Sequence, residues 1–176
     1  LQFTGWPQNH IKTYGSEQHY EFRNILFNGV AAGQTHVLFG VLSSYGERNT
    51  IVVDGVTSVH HQVISYFNFG YMENIHLINN TAVQYTSYPG GMYWGGFFWG
   101  GGSWAGTLEN LVIQNNTIEG TYGQAMVLWD NVVHGGNPAI IDHNTFVNVT
   151  LEPKFYRGGN NTLFTNNLFV NTQSNG

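Results

Sequence analysis

Six short segments of this chain of 176 residues align without internal gaps: NILFNGV at 24–30, TIVVDGV at 50–56, IHLINNT at 75–81, LVIQNNT at 111–117, AIIDHNT at 139–145 and TLFTNNL at 162–168. Three columns of the alignment constrain the fold. The first (Leu26, Val52, Leu77, Ile113, Ile141, Phe164) is apolar in every copy. The second (Asn28, Asp54, Asn79, Asn115, His143, Asn166) is polar and able to hydrogen-bond. The third (Gly29, Gly55, Asn80, Asn116, Asn144, Asn167) holds only Gly or Asn, the two residues that best tolerate left-handed backbone. A left-handed turn closing each short strand is therefore expected in the third column. Along the second column the intervals are 26, 25, 36, 28 and 23 residues. One strand-and-turn unit recurring every ~25 residues, with a β-branched and aromatic bias, predicts a parallel β-solenoid. Its coils stack at about 4.8 Å, so equivalent residues lie above one another. The apolar column becomes a core stripe and the Asn-rich column a hydrogen-bonded ladder.

Other architectures fit less well. No stretch of useful length carries a 3.6-residue period with caps. A leucine-rich repeat also places Asn after a strand, yet the run of leucines is missing. A β-sandwich shares the short strands but does not require a Gly/Asn column. The composition narrows the functional classes. Charged residues are 9% of the chain, against about 25% in an ordinary domain, and five Lys/Arg against ten Asp/Glu leave a net charge of −5. So few cations disfavour nucleic acid as a partner. No apolar run reaches the ~18–20 residues of a membrane span. With no cysteine, neither disulfides nor thiolate metal sites are available. The opening, LQFTGWPQNH, has neither the basic nor the apolar region of a signal peptide.

The stretches YRGGNNTLFTNNLFVNT (156–172) and IDHNTFVNV (141–149) resemble coils of right-handed parallel β-helix proteins, the pectate-lyase-like superfamily. The resemblance covers roughly residues 20–172. It implies an all-β, right-handed parallel β-helix of about six coils. Residues 1–20 are expected to form an N-terminal cap or strand-exchange segment, and 21–176 the β-helix domain. Function does not follow from this fold, which serves polysaccharide lyases, glycoside hydrolases, phage tailspikes and structural surface proteins.

The longest interval contains GGMYWGGFFWGGGSWAG (90–106), and its surplus over a normal coil predicts one long Gly/aromatic loop inserted at 88–106. Tyr93, Trp94, Phe97, Phe98, Trp99 and Trp104 suit three roles: folding back over an open side or end of the solenoid, contacting a neighbouring subunit, or stacking on carbohydrate.

Candidate chemistry concentrates near the C-terminus. HGGNPAIIDHN (134–144) aligns on RGGNNTLFTNN (157–167) at an offset of 23, which gathers Asp130, His134, Lys154, Tyr156 and Arg157 into one patch. Lyases of the resembled superfamily use a Lys or Arg base beside acidic residues or a metal. No full lyase motif is present, nor the acidic cluster a calcium ion needs. A solvated polar face with Arg157 pairing Asp130 is the weightier account of these residues. His60 and His61 alternate across a strand and cannot share an ion. His143 takes a ladder place. No cofactor or metal is expected.

Four N-x-T sequons begin at Asn79, Asn115, Asn148 and Asn160. Asn79 and Asn115 fall in the ladder column, where an inward role competes with a glycan, so Asn148 and Asn160 are the better acceptors. The resulting expectation is an extracellular structural protein, a homo-oligomeric filament, sheath or surface-layer subunit assembling through solenoid ends and the aromatic loop. The alternative is a carbohydrate-active enzyme, a polysaccharide lyase or glycoside hydrolase, or a fragment of one.

Overall fold

A computed structural model describes residues 2–3, 9–13, 19–28, 37–41, 48–59, 62–66, 71–83, 98–100, 107–108, 110–120, 126–128, 138–149, 154–155 and 162–171. Every regular element among them is a strand, and every strand pairing is parallel. The strands form three sheets that the chain visits in rotation, the arrangement of a β-solenoid. The first sheet runs Gln2–Phe3, Leu26–Asn28, Thr57–Val59, Thr81–Val83, Thr117–Glu119, Thr145–Val147, Leu168–Val170. The second runs Asn9–Thr13, Val37–Val41, Gln62–Tyr66, Phe98–Gly100, Met126–Leu128, Lys154–Phe155. The third runs His19–Arg23, Arg48–Asp54, Tyr71–Ile78, Leu111–Gln114, Ala139–Asp142, Thr162–Thr165, with Thr107–Leu108 also on Tyr71–Ile78.

Alternation along the strands decides which residues enter the core. In the third sheet, inward columns Ile51–Ile75–Leu111–Ala139 and Val53–Leu77–Ile113–Ile141 are fully buried. The first sheet opposes them with Ser58, Ala82, Ile118 and Phe146, also in one column. Side-chain volumes compensate: the coil with Phe146, the largest of its column, carries Ala139, the smallest of its own. Such compensation keeps a stack of unequal residues near close packing.

Strands of the third sheet hand over to the first through a two-residue corner, and the corner corrects the sequence alignment. Left-handed backbone falls on Asn24, Gly55, Asn79, Asn115, His143 and Asn166, with φ between 51° and 64°. The following residues, Val56, Asn80, Asn116 and Asn144, are buried. In the last four copies the turn thus occupies the second column rather than the third. The first two copies also shift, by four residues and by one. Asn24, not Asn28 or Gly29, turns the first coil, and Leu26 belongs to the next strand, paired with Thr57. The apolar column is Phe22, Val53, Leu77, Ile113, Ile141 and Phe164 by register. A Cβ at Gly55 would meet the Asn24 Oδ1, the far end of an exposed side chain, at 2.8 Å.

A second corner follows the first sheet, with positive φ at Gly120, Asn148 and Asn171. The rule repeats: exposed Asn148 turns the chain and the next residue, Val149, is buried. Within the stretch expected to be loop, Phe98–Gly100 is strand, in register with Ile64–Tyr66 and Met126–Leu128. Aromatic residues favour pleated backbone, which accounts for a strand there. The rest of 88–106 lies outside the described residues. At the other end of the chain, Gln2–Phe3 edges the first sheet and Asn9–Thr13 the second, each on a strand of the same chain.

Candidate functional site

Two features stand out among the described residues: an asparagine ladder that runs inside the corner, and the end at which it stops. Its two inner members, Asn116 and Asn144, make the same set of bonds. The Asn116 Oδ1 accepts from the Asn80 backbone N–H at 2.9 Å and from the Asn80 Nδ2 at 3.0 Å. The Asn116 Nδ2 donates to the Leu77 carbonyl at 2.9 Å and to the Asn144 Oδ1 at 2.9 Å. Asn144 repeats this with Ile113 and Asn167. Buried amides are costly unless every donor and acceptor is used, and here both ends of each side chain are occupied.

The ladder has a direction. It begins where the Val56 N–H donates to the Asn80 Oδ1 at 2.9 Å. Val56 and Ile25 occupy the same corner position in the two preceding coils and carry no carboxamide. It ends at Asn167, whose Oδ1 accepts from Asn144 and whose Nδ2 donates to the Ile141 carbonyl at 2.8 Å. The Asn167 backbone N–H and second Nδ2 hydrogen, which in Asn80, Asn116 and Asn144 reach the next carboxamide, meet no acceptor among the described residues.

That end also exposes apolar surface. Phe164 and Phe169 continue the columns of Ile141 and Phe146, both fully buried, yet are 38% and 39% exposed; Leu168 is 55% exposed. Phe169 stacks on Phe146, centroids 4.8 Å apart. No described strand pairs with the far side of Thr162–Thr165 or Leu168–Val170. The opposite edge of the third sheet is protected by charge. The Arg23 guanidinium pairs with Glu21 at 2.9 Å and with Asp54, and the His19 Nε2 lies 2.8 Å from the Glu21 carboxylate. The Glu21 carboxyl is held down to about 2, first by the hydrogen bond from Arg23 and then by that from His19.

On the outer face, Asp142 stitches three coils. Its carboxylate accepts from the Gln114 Nε2 at 3.1 Å on one side, and from the Thr165 Oγ1 at 2.7 Å and the Asn166 Nδ2 at 2.9 Å on the other. The His143 Nδ1 lies 2.6 Å away. Together these hold its carboxyl well below the ordinary carboxylate range, His143 contributing most and Thr165 next. A carboxylate so fully occupied is structural. His76, half-buried farther along the same face, is shifted down by desolvation first and by His19 second.

The residues singled out from the sequence divide between described and undescribed. Asp130, His134, Tyr156, Arg157, His60, His61, Tyr93, Trp94, Phe97, Trp104 and Asn160 lie outside the described residues. The Lys154 backbone pairs with Val127 at an edge of the second sheet, and the Phe98 and Trp99 backbones are internal to that sheet. Asn148 is exposed on its corner. Asn79 and Asn115 are exposed too, contrary to the inward role expected of them: as the left-handed residues they point out, and their neighbours Asn80 and Asn116 form the ladder. His143 likewise turns the chain in place of a ladder asparagine. Among the described residues no group of three or more His, Cys, Asp and Glu is placed to hold a metal ion. No helix among them is long and apolar enough to cross a membrane. Comparison with family models, curated proteins and solved structures returns no match.

Proposed function

We propose that this chain is a structural subunit of an extracellular assembly, a right-handed parallel β-helix of about six coils, of the pectate-lyase-like kind, joined to its neighbours through its ends. The observation that carries the reading is a stack of parallel coils in a chain of which only 9% is charged, with Leu163, Leu168, Phe169 and Val170 exposed in its last described layer. Apolar surface on an open sheet edge is a template for pairing, and proteins that do not use such an edge blunt it with charge, proline or a cover. The other end of the third sheet has its charges; residues 162–171 contain none. The low charge of the whole chain fits a subunit whose solubility is not maintained by self-repulsion. The aromatic stretch at 88–106 supplies a second contact, and exposed Asn79, Asn115 and Asn148 are places for glycans on the free sides.

Electron microscopy of the native material tests this. Filaments or sheets in which residues 163–170 are covered by a neighbouring molecule are expected. Solitary particles with that end bare to solvent would overturn the reading and direct attention to cleavage of acidic polysaccharides.

A further inference from the structure

The outer face of the first sheet carries a grid of side chains that neither the core nor the ladder uses. Thr57, Thr81, Thr117 and Thr145 stand above one another in register. Two residues further along each strand a second column holds Val83, Glu119, Val147 and Val170. The residues between the columns, Ser58, Ala82, Ile118 and Phe146, are buried, so both columns face outward. The four threonines are half-buried. Their backbone N–H groups donate to the coil before, but their hydroxyls have no partner among the described residues. Threonine on the third sheet is used differently: the Thr50 Oγ1 accepts from the Asn74 Nδ2 at 3.0 Å, and the Thr165 Oγ1 donates to Asp142 at 2.7 Å. The fold itself does not call for hydroxyls in the first-sheet column, since Leu26 and Leu168 occupy the same register position.

The grid has set dimensions. Neighbouring coils lie about 4.8 Å apart, and residues two apart on a strand about 6.7 Å. Threonine and valine are stiff at χ1, so their methyl and hydroxyl groups keep these spacings. Each coil contributes roughly 30 Å2 of the face, so a protein partner would need on the order of 25 coils to reach the about 800 Å2 a side of a stable interface. A crystal lattice, by contrast, is met one repeat at a time. The lattice that fits is that of ice, whose prism face sets out oxygens in rows of nearly these two spacings. The unpartnered hydroxyls can bond to lattice oxygens, and the methyl groups beside them restrict the water between. Only Glu119 brings a charge to either column.

We propose that the outer face of the first sheet is an ice-binding surface, with the threonine column as its anchor and Glu119 as its one defect. The proposal is independent of the assembly reading, because it rests on a side of the solenoid that stays free when coils are joined along the axis.

Single-crystal ice growth in solutions of the purified full chain tests this. A gap between melting and freezing temperatures is expected, widening with protein concentration, together with faceted crystals. Thr81→Tyr and Thr117→Tyr, each of which sets a ring across the grid, should remove most of the gap. Val112→Tyr, an equal enlargement on the outer face of the third sheet, should leave it unchanged. Thr117→Val, which keeps the methyl groups in place, should retain more of the gap than Thr117→Ser. Glu119→Val completes the second column and should widen the gap, a gain that a merely damaged fold cannot give. Circular dichroism checks that the strands persist in every variant. Absence of any gap with the folded parent chain overturns the proposal, as do equal gaps for Thr81→Tyr, Thr117→Tyr and Val112→Tyr. Retention on an insoluble crystalline polysaccharide, lost in the two threonine variants and found without any effect on ice, would overturn it in favour of that ligand.

Discussion

At the residue scale, the corner depends on a division of labour between neighbouring amides. The first takes left-handed backbone and faces water; the second turns inward and satisfies the backbone of two coils. Asparagine suits both jobs, so its presence in both columns does not say which is which. The decisive signal is in the irregular copies. Histidine at 143 fits an exposed turn but not a site 1% exposed such as that of Asn144. Glycine at 55 can turn but cannot bond as a ladder residue, so Asp54 must end the strand and Val56 must occupy the inner place. Treating Asp54–Gly55 as equivalent to Asn–Asn displaced that copy by one residue. The inner amide carries the larger energetic load. Asn116→Ala removes the acceptor of the Asn80 N–H and a donor to the Leu77 carbonyl. Leaving a buried polar group unpaired costs ~1–3 kcal/mol, so two orphans partly relieved by relaxation should lower unfolding free energy by ~2–4 kcal/mol in urea titration. Asn115→Ala, one position earlier, removes an exposed side chain and should cost ~1 kcal/mol, chiefly through left-handed backbone. Equal losses for the two variants would contradict the assignment.

At the element scale, the strands are legible where a short apolar run meets a repeated corner. AIID, LVIQ and TLFT read as strands because each is a short β-rich run that ends at an Asn or His turn. HYEFR alternates polar and aromatic residues, but its turn, Asn24, is followed by Ile25 and not by another amide, so the repeat does not mark it. Phe98–Gly100 was hidden by the glycines around it. The outer face contributes a tie within one strand at Glu21 and cross-coil ties at Asp142, both with carboxyls lowered in the folded chain. A lowered folded pKa adds stability that is fully present above the unfolded carboxylate value, about 4, and is lost as pH falls through the folded one. Unfolding midpoints in urea should therefore be level from pH 7 to 5 and fall from about pH 4 to about 2 and below. Asp142→Asn, which keeps an acceptor oxygen but no charge, should lower the midpoint at pH 6 and flatten the acid slope. A midpoint unchanged between pH 5 and 2 would contradict these ties.

At the scale of the whole molecule, stacking unlike coils requires both volume matching, as with Phe146 and Ala139 within one coil, and a polar thread that fixes register. The thread is one directional chain of carboxamides, started on Val56 and left with spare donors at Asn167. The repeat announced such a thread; its direction could not be read from the sequence, because an asparagine looks the same whichever way its amide points. The same holds for the last described layer, where Phe164 and Phe169 read as core residues by their columns yet are 38% and 39% exposed. Amide hydrogen exchange, resolved residue by residue on the isolated monomeric chain, tests this central claim most directly. The account predicts strong protection of the Asn80, Asn116 and Asn144 backbone amides, whose protons are held by carboxamide oxygens of the next coil, and fast exchange at Asn167. Protection of Asn167 equal to that of the other three, or fast exchange at all four, would contradict it.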